Sequence, residues 1–65
     1  MYRGKVKFFN AKSRFGFITE EITGADYYFY IKNTEINFTK EELVSFDLKD
    51  SKKGKEAFNV KKINS

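Results

Sequence analysis

Five short runs of β-branched and aromatic residues, separated by polar breaks, most constrain how this chain folds. The runs occupy residues 5–10, 15–19, 26–31, 43–49 and 56–63. Each has the length and composition of a β-strand, and most of the breaks are short enough for hairpin connections. A chain of 65 residues holds one domain with one small core, and a two-sheet sandwich would need more strand than this. A bent sheet closed into a barrel leaves no exposed edge. The sequence therefore predicts one all-β domain over residues 1–65, a five-stranded barrel.

One longer break, from residue 32 to residue 42, separates the third and fourth runs. Thr39 and Glu42 stand within it at capping-box spacing, which would suit a single helical turn. An irregular loop that merely contains these two residues explains the spacing equally well. Both interpretations stay open on sequence alone.

Aromatic residues outnumber the places that so small an interior offers. The chain has eight Phe and four Tyr, and each such ring buries roughly 150–250 Å² when enclosed. Side chains alternate between the two faces of a strand, so if Ile18 and Phe29 face the core, four rings on two neighbouring strands face outward. These are Phe15, Phe17, Tyr28 and Tyr30.

The first run departs from simple alternation. Val6 and Phe8 would share a face, although Val6 suits the core and Phe8 would extend the outward set of rings. A β-bulge between them, with one extra residue in the strand, would turn Val6 inward and Phe8 outward. In the second run, Gly16 indicates a bend or a close approach of another backbone. The fourth run alternates regularly, with Val44 and Phe46 on its apolar face.

Charge is segregated along the chain, which carries a net charge of +4. Residues 1–19 contain five cationic side chains and no acid, residues 20–47 contain seven acids and two lysines, and residues 48–65 contain six lysines and two acids. Such segregation is typical of a protein with one basic face for a polyanion. Lysines that merely keep a ring-rich protein in solution would produce the same composition.

The acid-free segment combines rings with positive charge. Lys7, Lys12 and Arg14 stand among the outward rings, and an unbound apolar patch of that extent is an aggregation hazard. Aromatic rings stack on unpaired bases, and cations follow the phosphate backbone. The two residue types together therefore favour a single-stranded nucleic acid as ligand.

Several other classes of function are disfavoured. The chain has no Cys and no His, so disulfides and the usual zinc sites are excluded, and we expect neither a metal nor another cofactor. A catalytic nucleophile would need Ser or Thr beside Lys or a carboxylate, and these residues fall in turns or at solvent-facing positions, so we do not expect an enzyme. No apolar run approaches the roughly 20 residues of a membrane span, and the N-terminus has no apolar signal segment. The expected location is the cytoplasm.

Five motifs together resemble the bacterial cold-shock proteins and the related Y-box cold-shock domains. They are GKVKFFN at 4–10, FGFI at 15–18, DYYFY at 26–30, VSF at 44–46 and AFNV at 57–60. The resemblance runs from about residue 2 to residue 63, with the strands in the same order. It implies a five-stranded antiparallel barrel of the OB-fold type that binds single-stranded RNA and DNA with low sequence specificity, often as an RNA chaperone.

The resemblance also implies which residues would bind the strand. The family stacks bases on rings of its first three strands and supports them with polar contacts. Matched by motif, the stacking residues would be Phe8, Phe15, Phe17, Tyr28 and Tyr30, and the supporting polar residues Lys7, Asn10 and Asp26. With Lys12 and Arg14 from the charge pattern, these ten residues form the predicted site.

This chain departs from the family pattern at several of these positions. Phe8 stands where the family usually has Trp, and Tyr30 where it usually has His. The pair Ser13–Arg14 replaces a typical Lys-Gly pair, and Tyr27 occupies a position that is usually a buried Val. The long loop is shorter than in most members, and its Phe38 matches a core Leu as well as a stacking ring. We therefore leave Phe38 out of the site.

One other class of binding module fits a small barrel with exposed rings. An SH3-like domain holds a proline-rich peptide in an aromatic groove, but such grooves usually pair their rings with acidic loops, whereas here the rings stand among cations. A monomer is the expected state, with a strand-exchanged dimer as the alternative. RNA and DNA are both retained as ligands.

Overall fold

Five β-strands form a closed barrel in the computed structural model, which describes residues 1–52 and 54–63. Strand β1 spans Tyr2–Asn10, β2 Phe15–Glu20, β3 Asp26–Tyr30, β4 Leu43–Ser51 and β5 Gly54–Lys62. Neighbours follow the order β1-β2-β3-β5-β4, and β4 pairs back with β1. The predicted all-β barrel of five strands is confirmed. Four of these pairings are antiparallel, and β3 and β5 run parallel where they close the barrel.

The strands differ from the predicted runs at their ends. β1 begins earlier than predicted because its first residues pair with β4, with Tyr2 opposite Phe46. β4 and β5 pair beyond the predicted runs, as far as Ser51 opposite Gly54. β3 ends at Tyr30, one residue before the predicted end. Backbone pairing sets these ends, whereas the sequence runs were delimited by side-chain type.

Buried hydrophobic side chains from all five strands and from the connection between β3 and β4 fill the interior. They are Val6, Ile18, Phe29, Phe38, Val44, Phe46 and Ala57. Ile18 and Phe29, the two residues on which the alternation argument rests, are both fully buried. Burying a side chain of this size stabilises a fold by roughly 1.5–3 kcal/mol, so this cluster fixes which face of each strand points inward.

Phe38 belongs to the core although it lies outside any strand. Its ring packs edge-on against Phe9 and Phe29, with 5.6 Å between ring centroids in both pairs. The side chain is only 6% exposed. Phe38 is therefore a core residue in this fold, and it holds the long connection against the barrel.

The end of that connection is a hydrogen-bonded turn without a helix. The Glu42 amide donates to the Thr39 carbonyl oxygen at 3.1 Å, and the Glu42 carboxylate accepts the Thr39 amide at 3.0 Å. Glu41 has a φ of 73°, which a right-handed helix cannot contain. The Glu42 carbonyl oxygen accepts the Val6 amide, so the turn is held against β1. The described residues contain no helix that is long and apolar enough to cross a membrane.

Two glycines lie where neighbouring backbones touch. A Cβ at Gly16 would lie 2.2 Å from the carbonyl oxygen of Phe8 and 3.0 Å from the ring of Phe29. A Cβ at Gly4 would lie 2.4 Å from the carbonyl oxygen of Thr19. Because these obstacles are mainly backbone atoms of a paired strand, alanine at either position would force strands apart. The close approach predicted at Gly16 is confirmed.

Candidate nucleic-acid interface

A β-bulge in β1 turns Phe8 to the outside of the barrel. The register between β1 and β2 shifts between Val6 and Phe8, at the position where a bulge would place both residues suitably. Val6 is 1% exposed, whereas Phe8 is 41% exposed. The next residue, Phe9, turns inward and stacks on Phe29 with 5.8 Å between centroids. The extra residue thus keeps one side of β1 in the core and adds a ring to the outside.

Five outward rings on β1, β2 and β3 form one surface, which we call the ring surface. Strand register places Phe17 between Phe8 and Tyr28, and Phe15 beside Tyr30. Phe8, Tyr28 and Tyr30 are exposed, Tyr30 at 53%, while Phe15 and Phe17 are half-buried. All five rings predicted to stack bases therefore lie together, and none of them is in the buried core.

The rings of this surface support one another. Phe8 lies 5.4 Å from Phe17 and 6.1 Å from Phe15, measured between ring centroids. Tyr28 stacks on Phe15 at 5.8 Å and meets Phe17 edge-on at 6.0 Å. Such contacts hold aromatic rings in position beyond the effect of area burial alone. A ligand would meet platforms that are already oriented.

Lys7 and Asp26 form an ion pair at the edge of the ring surface. The Lys7 ammonium lies 2.8 Å from one Asp26 oxygen, and Thr19 Oγ1 donates to the other at 2.7 Å. Hydrogen bonds from Lys7 and then from Thr19 lower the pKa of the Asp26 carboxyl, so it is charged at neutral pH. Both side chains are well exposed, and exposed pairs are weakly held. Lys7 therefore remains accessible to a phosphate.

Asn10 shapes the turn that follows β1. Its Oδ1 accepts the amides of Lys12 at 2.9 Å and Ser13 at 3.1 Å, and its carbonyl oxygen accepts the Arg14 amide at 2.7 Å. Asn side chains commonly close turns in this way. Asn10 thus positions Lys12, which is exposed in the turn between β1 and β2. A direct contact between either residue and a ligand stays a prediction.

The sequence predicted Arg14 as a cation beside the outward rings, but its guanidinium packs against the protein instead. Its side chain is half-buried, and its guanidinium carbon lies 5.1 Å from the centre of the Phe9 ring. Its φ of 64° lies in the left-handed region that favours glycine. Its guanidinium donates to oxygens of the segment after β3, namely the carbonyls of Ile31, Asn33 and Ile36 and Oδ1 of Asn37. Arg14 therefore fastens this segment, and its part in binding stays a prediction.

Sequence reasoning missed the exposed ring of Phe58. Phe58 on β5 is 40% exposed, and the Lys49 ammonium of β4 lies 5.5 Å from the centre of its ring. Its neighbour Ala57 is buried, so alternation alone would have placed Phe58 outside. The alternation of Ala57 and Phe58 is thus a local signal that predicts this outward ring.

One groove of the barrel has none of the five rings in its walls. It runs between β1, the end of β2 and the turn before β4, and Lys5, Lys40, Glu20, Glu41 and Leu43 contribute to its walls. Its mixture of both charges suits no single polyanion. Among the described residues there is no cluster of acidic side chains that would hold a metal ion.

Comparison with known proteins gives one consistent family. The sequence model of the 'Cold-shock' DNA-binding domain matches residues 2–63. A cold shock-like protein of Thermotoga maritima is 35% identical over an alignment 65 residues long, which covers 94% of this chain and 97% of that protein. A major cold shock protein of Micrococcus luteus is 38% identical over 64 residues, covering 92% and 96%. A major cold shock protein of Streptococcus pyogenes is 34% identical over an alignment 67 residues long, which covers 97% of this chain and 98% of that protein.

Proposed function

Because this chain belongs to the cold-shock domain family, whose members bind nucleic acid and are not enzymes, we propose that it binds single-stranded RNA and DNA with low sequence specificity. The observation that carries the proposal is the ring surface, with Tyr30 more than half exposed and its neighbours ordered by ring contacts. A flat apolar platform of this kind takes the face of an unpaired base. The further proposal is that such binding makes the protein an RNA chaperone.

Stacking accounts for both the preference for single strands and the low specificity. Bases within a duplex already stack on each other and offer no free face. Every base has a π-face, so a platform of phenyl rings accepts all four, at roughly 1–3 kcal/mol for each stacked base. The proposed stacking residues are Phe8, Phe15, Phe17, Tyr28 and Tyr30.

Positive charge beside the rings would hold the phosphate backbone. Lys7 belongs to β1 and Lys12 to the turn that follows it, and Lys7 can exchange its exposed Asp26 partner for a phosphate. Counterion release makes such binding weaken as salt rises, with a slope of about 0.7 for each neutralised phosphate of a single strand. An SH3-like peptide module would bind with far less dependence on salt, so the slope separates the two classes.

The test compares outward and inward rings of the same residue type. Phe15→Ala and Phe17→Ala should each weaken binding of hexathymidine by roughly 1–3 kcal/mol and leave the fold largely intact. Phe46→Ala is the matched control, because removal of a core Phe costs about 3–5 kcal/mol of stability. The protein has no Trp, so tyrosine emission reports binding without a label, and urea unfolding reports stability.

Two results would contradict the proposal. Equal affinity for hexathymidine and for a DNA duplex of similar length would exclude base stacking as the basis of binding. If Phe15→Ala destabilised the fold as much as Phe46→Ala, the ring would be structural. Chaperone activity needs its own assay, in which a weak RNA hairpin with a fluorophore and quencher at its ends should open as the protein is added, and should stay closed with Phe15→Ala.

A further inference from the structure

We propose that Phe58 and Lys49 form an additional nucleotide subsite, which continues the ring surface from β3 onto β5 and β4. Phe58 would stack a base of a single strand, and Lys49 would contact the adjoining phosphate. The inference rests on the proposed function and specifies a longer path for the same ligand. Three observations carry it: the register of β3 and β5, the exposure of Phe58, and the position of the Lys49 ammonium.

The parallel register places Phe58 beside the exposed end of the ring surface. Tyr28 lies opposite Glu56, and Phe29 lies opposite Ala57. Phe29 and Ala57 are both buried, so they mark the inward face of the two strands. Because side chains alternate along each strand, the next outward pair after Tyr28 and Glu56 is Tyr30 and Phe58. A single-stranded nucleic acid that stacks a base on Tyr30 therefore reaches Phe58 by crossing one gap between neighbouring β-strands.

Phe58 combines an exposed apolar ring with a nearby cation, as the predicted site does. The ring is 40% exposed, close to the value for Phe8. The Lys49 ammonium lies 5.5 Å from its centroid, and the Lys49 side chain is 54% exposed. A cation over one face of an exposed ring contributes only about 0.5–1 kcal/mol. Lys49 therefore loses little when it turns towards a phosphate.

The acids near this subsite already have partners. The Glu56 carboxylate lies 3.7 Å from the Lys49 ammonium, and the Asp47 carboxylate lies 3.9 Å from the α-amino group of Met1. Asn59 Nδ2 also donates to Asp47 at 3.4 Å. Glu56 competes with a phosphate for Lys49, so Glu56→Gln should tighten binding at this subsite and leave binding to the ring surface unchanged.

The experiment compares a short strand with a long one. Pentathymidine occupies about one nucleotide for each of the five rings, and octathymidine extends past them, within the usual span of an OB fold. Phe58→Ala should leave the affinity for pentathymidine unchanged and lower the affinity for octathymidine by roughly fivefold or more, the lower end of what one stacked base contributes. Lys49→Gln should reduce the salt slope by about one unit with octathymidine only.

Control variants separate a lost stacking face from a change in the fold. Phe58→Leu keeps an apolar side chain but removes the flat ring, so it should weaken octathymidine binding as Phe58→Ala does. Leu43→Ala removes a side chain of similar exposure, 47%, from the side of β4 next to β1, and should change neither affinity. The urea midpoint of each variant checks that the barrel remains folded.

Each other result overturns the inference. If Phe58→Ala lowered the affinity for pentathymidine and octathymidine equally, or lowered neither, Phe58 would form no separate subsite. Full octathymidine affinity in Phe58→Leu would show that a flat ring is not what matters. If the wild-type protein bound both strands and only the ring-surface variants weakened them, the proposed function would stand while this inference fell. Failure of the wild-type protein to bind either strand would overturn both.

Discussion

Replacement of Arg14 by alanine or by glycine tests whether this residue is a structural fastener. Both substitutions remove the guanidinium and its hydrogen bonds to the segment after β3. They differ only in the Cβ, which sits on a backbone with φ of 64°. The two variants therefore separate the value of the hydrogen bonds from the cost of the left-handed backbone.

The structure sets the size of the two effects. The loop oxygens that lose their donor are near the surface and can bind water instead, so each bond contributes about 0.5 kcal/mol and the set about 2 kcal/mol. A left-handed backbone costs a residue with a Cβ roughly 1–2 kcal/mol. Glycine escapes that cost but loses roughly 0.4–1 kcal/mol through its greater freedom when unfolded. Arg14→Ala should thus lose about 2 kcal/mol of stability, and Arg14→Gly should be the more stable of the two by about 0.5–1 kcal/mol.

Urea unfolding followed by far-ultraviolet circular dichroism measures both values. Amide hydrogen exchange adds local detail, because the Ile31 amide donates to the Arg14 carbonyl oxygen at 2.8 Å and should exchange faster when the loop is released. If Arg14→Ala lowered the free energy of unfolding by less than about 0.5 kcal/mol, which is less than one such bond contributes, Arg14 would not stabilise the segment after β3. Arg14→Ala more stable than Arg14→Gly would refute the strain argument. The salt slope of strand binding, lower by about one unit in both variants, would retain Arg14 as a phosphate contact.

Two further predictions concern pH. Tyr30→His should make oligothymidine binding tighten from pH 7.5 to pH 5.5, by up to about fivefold for one exposed charge pair. The wild-type affinity should not change over this range at constant ionic strength. An unchanged affinity in the variant would place residue 30 away from the bound oligonucleotide. The Glu20 carboxylate accepts the Ile22 amide and the Thr23 hydroxyl, and these bonds, the Ile22 amide first, lower its pKa. A carboxyl whose pKa is lower in the folded state stabilises the fold above its unfolded pKa of about 4.3 and loses that contribution as pH falls through the folded value. Urea midpoints between pH 6 and 2.5 should therefore fall less steeply for Glu20→Gln than for wild type, and equal slopes would contradict this assignment.

Alternation around buried residues made most of the ring surface predictable. Ile18 and Phe29 are large apolar residues that a small core needs, and once they are placed inward the pleat of a strand fixes their neighbours. The conflict between Val6 and Phe8 was also informative, because a bulge was the simplest way to satisfy both residues. These inferences use only local geometry, which sequence records directly.

Contacts between distant segments were less predictable. The charge of Arg14 suggested a ligand, but its left-handed backbone and its partners, 17 to 23 residues away, follow from the folded chain. The parallel closure of β3 on β5 is also a long-range pairing that no local pattern signals. Along β5, Asn59 has a φ of 54° and the register with β4 shifts beside it, so alternation predicts which way Ala57 and Phe58 face but fails for the residues that follow.

Two pairings, the parallel seam between β3 and β5 and the antiparallel pairing of β1 with β4, join two locally connected halves of the barrel. β1, β2 and β3 follow one another as a meander, and β4 and β5 form a hairpin, so each half assembles from contacts close in sequence. The seam instead joins Tyr28 to Glu56, and such long loops close late in folding because their entropy cost comes before their contacts form. We expect amides along this seam to exchange through local opening more readily than those inside the hairpin. A single-stranded nucleic acid bound across Tyr30 and Phe58 would contact both halves of the barrel at once and slow that opening.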